Sequence, residues 1–298
     1  MVDALTDVIV RRVLPFWISI ALLSLAQGVL VALPGSLSAS WMASLRGRRW
    51  AVIPPLSVIA FVVLAREAEH ASAQGLTYLA LVAVPLLAAF ALGWLMWDAH
   101  PARPWRTLLA LPLFALAWLD RGGLAGEAAA LILSALSCAA LGVLLAAVTP
   151  PRWLAAGIVA MAIADTALVV SDLLQKPNNA LNAAHPAAGL PQLQSAVFGS
   201  AVMGYGDLFI AGVLGGLLAS SWGRELQLRA AALTALIALC LDLLFFFVDE
   251  LPATVPVALA LVAVLLRRGL RSAAAGEART SPAPPAEGTR RSRAPLAR

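Results

Sequence analysis

The chain carries little charge: Asp, Glu, Lys and Arg make up 12% of its 298 residues, against 61% apolar residues. Soluble domains average about 25% charged residues, so a water-soluble enzyme is excluded on composition. The polar stripes that would mark the helices of a large soluble bundle are missing too. Cysteine is scarce, and Cys138 and Cys240 both fall within apolar runs, where they read as small buried thiols rather than a disulfide. His70, His100 and His185 stand in different loops without the spacing of metal ligands, and no metal or other cofactor is expected. Lysine occurs once, at Lys176, beside many Arg and Ala, a composition that fits a bacterium with a GC-rich genome.

The chain does have long apolar blocks. A helix of about 20 apolar residues crosses the roughly 30 Å hydrocarbon layer with every backbone group bonded internally. The blocks predict an all-α polytopic membrane protein with nine spans, near 14–33, 51–65, 77–97, 107–119, 124–148, 153–175, 196–221, 226–248 and 253–266. Residues 1–266 form the transmembrane domain, and 267–298 are expected to be a basic disordered tail rich in Arg, Pro, Ser and Ala. The loop at 176–195 contains Pro177, Asn178, Pro186 and Pro191 and reads as irregular. Asp3 and Asp7 dilute the positive region of a signal peptide, and the apolar block behind them is long enough to remain as an anchor.

Net charge of +5 does not signal nucleic-acid binding, because much of it sits in the tail. There it sets orientation or meets anionic lipid headgroups. With the C-terminus inside, the inner loops hold Arg46, Arg48, Arg49, Arg103, Arg106, Arg152, Arg224 and Arg229. The outer segments hold only Arg11, Arg12, Arg66, Arg121 and Lys176, and the loop at Asp249 and Glu250 has no cation. Positive charge resists translocation, so the expected state is N-terminus outside and C-terminus cytoplasmic, in a bacterial cytoplasmic membrane.

An ionisable side chain at mid-membrane costs about 2.5–3.5 kcal/mol and calls for a reason. Asp165 in MAIADTALVV lies well inside the sixth span, and Asp207 in MGYGDLFIAG well inside the seventh. Counted along helices from the outer ends, both sit roughly 15 Å deep. Asp172, Asp242 and Glu127 fit less well and read as interfacial or interhelical hydrogen-bonding groups. Two carboxylates within a few ångströms share a proton, and such a pair performs aspartic proteolysis: one activates water while the other polarises the scissile carbonyl. Gly204-Tyr205-Gly206 ahead of Asp207 leaves out two Cβ atoms, permitting close helix packing or approach of an extended substrate. Gly212, Gly215 and Gly216 are expected to pack the helix on a neighbour.

An Asp in span six, a GxGD tetrad in span seven and a Pro-Ala element opening span nine resemble the presenilin and signal peptide peptidase group of GxGD intramembrane aspartyl proteases. The resemblance covers about the second half of the chain. It implies a presenilin-like nine-helix arrangement, a catalytic dyad of Asp165 and Asp207, and no cofactor. It also implies substrate contacts at Gly204, Tyr205, Gly206, Pro252, Ala253 and Thr254, with the last three matching the family's Pro-Ala-Leu element. Its substrates would be single transmembrane helices or remnant signal peptides. The chain departs from the family pattern at Ala164, where Tyr is usual, and at Thr254, where Leu is usual. Three other readings stay open: a prepilin-peptidase-like enzyme, a proton-coupled transporter with paired acids at the midplane, and an inactive relative that binds helices.

Overall fold

In the computed structural model the described residues are 2–37, 40–99, 101–248 and 250–280. His100, Asp249 and the tail beyond Thr280 lie outside them. One compact unit covers Met1–Val262, and a second covers Ala263–Arg298.

The first unit is almost entirely helical. Its elements run α1 (Val2–Ala32), α2 (Ile53–Glu67), α3 (Glu69–Phe90), α4 (Ala110–Leu119), α5 (Leu124–Val148) and α6 (Pro151–Val170), followed by the short α7 (Gln175–Ala183). A hairpin of β1 (Ser195–Phe198) and β2 (Ala201–Gly204) precedes α8 (Tyr205–Ser221), α9 (Arg224–Asp242) and α10, which begins at Val255. Five helical stretches are long and apolar enough to cross a membrane, and three shorter apolar helices accompany them. An all-α membrane protein is therefore what the residues build.

The outer surface supports this. On α3, Leu79, Val82 and Leu86 are each more than 60% exposed. They recur every three or four residues and so share one helix face. A water-soluble helix would place polar side chains there, whereas lipid tails accept an apolar stripe without cost.

The same solvent removes the hydrophobic drive between helices, so packing depends on close van der Waals fit. Central α5 is the most enclosed of the long helices and packs chiefly on α8, with α3 and α4 against its other faces. A Cβ on Gly216 would stand 2.7 Å from the Gly142 carbonyl oxygen, and one on Gly212 would overlap the Cys138 carbonyl. Glycines at these positions let α5 and α8 touch backbone to backbone, as their spacing predicts. Gly28 of α1 meets Ala235 of α9 in the same manner, at 2.6 Å from an added Cβ to the Ala235 Cβ.

Several expected boundaries move. α6 ends at Val170, not 175, so Asp172 is no helix-face residue; it occupies a turn with φ of 57° and is exposed. Residues 175–183, expected to be irregular, form α7. Ala68 alone separates α2 from α3. In the second unit α10 continues to Thr280, where composition predicts a tail from 267.

The largest revision concerns residues 196–204, read as the outer part of a helix. They belong to the hairpin, paired Ser195 to Gly204 through Phe198 to Ala201. Gly199 opens its two-residue turn with φ of 59°, the positive value that tight hairpin turns require. α8 itself has only 17 residues, about 25 Å of helix.

Arginine and tryptophan cluster at one set of loops. Arg49 stacks over Trp50 at 5.0 Å, Arg106 over Trp105 at 5.9 Å, Arg152 over Trp153 at 5.8 Å and Arg224 over Trp97 at 4.4 Å. All four lie in loops or first helical turns at the ends that the charge pattern assigns to the inner side.

Candidate active site

Asp207 owes its position to the end of the hairpin. Gly204 closes β2 in an extended conformation and caps α8, and the Asp207 Oδ2 accepts the Gly204 N–H at 3.2 Å. An acidic side chain in a first helical turn satisfies an orphan amide and faces the positive end of the helix dipole. Asp207 is thus the third residue of a helix rather than a mid-helix residue.

Its level is nonetheless central. The Tyr205 hydroxyl lies 2.8 Å from the Ser137 hydroxyl, and the Cys138 thiol points at the Tyr205 carbonyl. Ser137 and Cys138 stand near the middle of the 25-residue α5. The hairpin covers the remaining distance to the helix ends, since a four-residue strand spans about 13 Å. Its tip is fastened there: the Gly199 N–H donates to the Glu127 carboxylate at 2.7 Å, and the Ser200 N–H to the Ser19 hydroxyl at 3.3 Å. Glu127 begins α5 and Ser19 lies on α1.

Asp165 projects from α6 and is 7% exposed. It stands within electrostatic range of Asp207. The side chain is held from a third direction, because the Thr254 hydroxyl donates to Asp165 Oδ2 at 2.6 Å. Thr254 is 1% exposed and directly precedes α10. Pro256, in the first turn of α10, has no N–H to leave unpaired. The element Pro252-Ala253-Thr254 is therefore a non-helical turn beside the acids, closed by the Val255 N–H on the Pro252 carbonyl at 3.1 Å.

A residue that the sequence did not single out joins these parts. Gln27 of α1 is fully buried, and its Nε2 donates to the Ala253 carbonyl at 2.7 Å and the Asp207 carbonyl at 3.2 Å. Its Oε1 is buried and has no partner among the described residues. No signal in the apolar run LSLAQGVL distinguishes this Gln from a helix-packing amide. Only its partners do.

The six expected substrate-contact residues divide. Gly204 and Gly206 are exposed. A Cβ on Gly204 would meet nothing but the Asp207 carboxyl group, and one on Gly206 would reach the Met161 Cε at 3.5 Å, one turn before Asp165. The backbone beside Asp207 is therefore open, whereas Asp165 itself is buried. Pro252 and Ala253 are half-buried at the same place. Tyr205 instead turns to α5, where it packs on the cluster that includes Leu133, Leu136 and Ala140. Thr254 faces Asp165. Asp242 lies apart, accepting from Ser24 of α1 at 2.8 Å across the α1–α9 contact. Among the described residues no three His, Cys, Asp or Glu side chains cluster as metal ligands.

α6 and α8 touch far less than α5 and α8 do. Asp207 keeps partial surface access although it lies deep in the bundle. Chemically, the arrangement offers two carboxyl groups close enough for their charges to interact, an exposed pair of glycines and a non-helical turn beside them. In comparisons with protein-family models, curated proteins and solved structures, nothing matches the chain.

Proposed function

We propose that the chain is an intramembrane aspartyl protease of the presenilin and signal peptide peptidase type, with Asp165 and Asp207 as its dyad. The observation that carries this reading is the placement of two acids from different helices close enough for their charges to interact, beside Gly204, Gly206 and the Pro252–Thr254 turn. A pair of carboxyl groups holding one proton takes a proton from water with one member and polarises the scissile carbonyl with the other. Attack gives a tetrahedral diol. Collapse transfers a proton to the amide nitrogen and breaks the C–N bond, without a covalent enzyme intermediate.

The substrate is a single transmembrane helix or remnant signal peptide, unwound near its cleavage point. β2 pairs with β1 and has no other partner strand among the described residues. Its outward-facing residues Val202 and Gly204 are exposed while Ala201 and Met203 are buried. Such an edge accepts an extended peptide by backbone pairing, and Pro252 and Ala253 border the same space. In this reading the helices adopt a nine-span arrangement in a bacterial cytoplasmic membrane, with the N-terminus outside and the C-terminus inside. The Arg–Trp stacks support that orientation, because both residue types favour the membrane interface and Arg favours its cytoplasmic side.

The test is cleavage of a synthetic transmembrane peptide by the purified chain in liposomes. Cleavage lost in both Asp165→Ala and Asp207→Ala is expected. Retained cleavage in both variants removes the dyad, and substrate-driven proton flux without cleavage replaces the protease by a transporter.

A further inference from the structure

The two acids of the dyad are held differently, and the difference assigns their roles. We propose that Thr254 is a positioning residue that keeps Asp165 as the ionised, water-activating member of the pair, leaving Asp207 as the proton donor. The inference rests on the protease reading and deepens it.

Asp165 receives a short hydrogen bond from a buried hydroxyl. The Thr254 Oγ1 donates to Oδ2 at 2.6 Å. Short bonds of this kind to a carboxylate are charge-assisted and favour the anion, roughly twice as strongly as neutral pairs. Among the described residues Asp207 receives one hydrogen bond, the Gly204 amide at 3.2 Å. The helix end adds a favourable dipole to Asp207, but a dipole contribution near a helix terminus is smaller than that of a short charge-assisted hydrogen bond. When one proton is shared, it settles on the carboxyl with the weaker set of donors. That carboxyl is Asp207.

Orientation follows from the same bonds. With Oδ2 occupied by Thr254, Oδ1 of Asp165 is the oxygen left to take a proton from water. The water oxygen then bonds to the carbonyl carbon, and the carbonyl oxygen takes the proton held by Asp207. On collapse the proton on Asp165 goes to the leaving nitrogen as the C–N bond breaks. A diol hydroxyl returns its proton to Asp207, which restores the starting state.

Thr254 is also placed for the task by the chain around it. Gln27 holds the carbonyl of the preceding Ala253, and Pro252 and Pro256 flank the segment, so the hydroxyl is delivered by backbone that two prolines restrict. A leucine at this position has no hydroxyl and leaves Asp165 without this donor.

The experiment compares Thr254→Val, which keeps the shape and loses the hydroxyl, with Thr254→Ser, which keeps the hydroxyl. Both are assayed in the full-length chain in nanodiscs with the transmembrane peptide. Thr254→Val is expected to lower kcat at least tenfold with KM within twofold, and Thr254→Ser to recover to within about threefold. Wild-type kcat in Thr254→Val, or a change confined to KM, overturns the assignment. A second readout does not depend on turnover: infrared spectra with isotope-labelled Asp, in an Asp207→Asn background. There the ionised-carboxylate band that Asp165→Asn removes is expected to weaken at neutral pH in Thr254→Val. An unchanged band overturns the role of Thr254 whether or not the protein cleaves peptide. Absent cleavage by the wild type with a band that does respond defeats the protease reading alone.

Discussion

Gly142 of α5 and Gly212 of α8 lie backbone against backbone, so close that a Cβ added to Gly142 would fall on the Gly212 carbonyl. This contact sets the position of α8 and hence of Asp207. Overpacking at such a crossing costs about 1–3 kcal/mol. Gly142→Ala is expected to lower the unfolding midpoint in detergent titration and to reduce cleavage with it. Gly75→Ala serves as the contrast, because nothing lies within 4 Å of its added Cβ. It should leave stability unchanged or raise it by up to about 1 kcal/mol, since Ala is the better helix former.

Gln27 separates stability from activity. Gln27→Met removes the donor to Ala253 and Asp207, at a cost of about 1 kcal/mol per lost bond, but also removes a buried oxygen that has no partner among the described residues. The two effects oppose each other. Thermal unfolding should shift by about 1 kcal/mol or less, while cleavage falls at least fivefold because the Pro252–Thr254 segment loses its tie to α1. Equal activity in Gln27→Met would show that the segment holds its place without the amide.

A pair that works with one shared proton is inactive when both members are protonated and when both are ionised. At low pH there is no base, and at high pH no acid. The pH dependence of kcat/KM should therefore be bell-shaped. A rate that climbs steadily to alkaline pH would point to a lone base and would remove Asp207 from the chemistry.

Orientation can be read by labelling single cysteines in a chain lacking Cys138 and Cys240. Ala71 and Ala102 are both exposed, and they follow opposite ends of adjacent apolar segments. With the Arg–Trp loops cytoplasmic, Ala71→Cys reacts with an impermeant maleimide in right-side-out vesicles. Ala102→Cys reacts only after the membrane is opened. The reverse result inverts the protein.

What was legible from the amino-acid order is what depends on local chain chemistry. Apolar blocks of membrane length name the solvent, and an Asp within such a block stands out because its burial is costly. Glycines at 212 and 216 announce a close helix contact, and the structure places them against α5. Asp165 and Asp207 come to one depth when both are counted along helices, although a hairpin and not a helix leads to Asp207. The stretch SAVFGSAVMG is short and apolar, and such runs fit a strand or a helix equally well by periodicity. Gly199-Ser200 was the available turn signal.

Tertiary structure decided the rest, because the groups that complete the site are far apart in the chain. Thr254 and Asp165 are 89 residues apart, and Gln27 and Ala253 are 226 apart. A hydroxyl or amide in an apolar helix looks the same from its neighbours whether it faces lipid, another helix or a carboxylate. Only the folded arrangement supplies the partner, and with it the difference between the two acids.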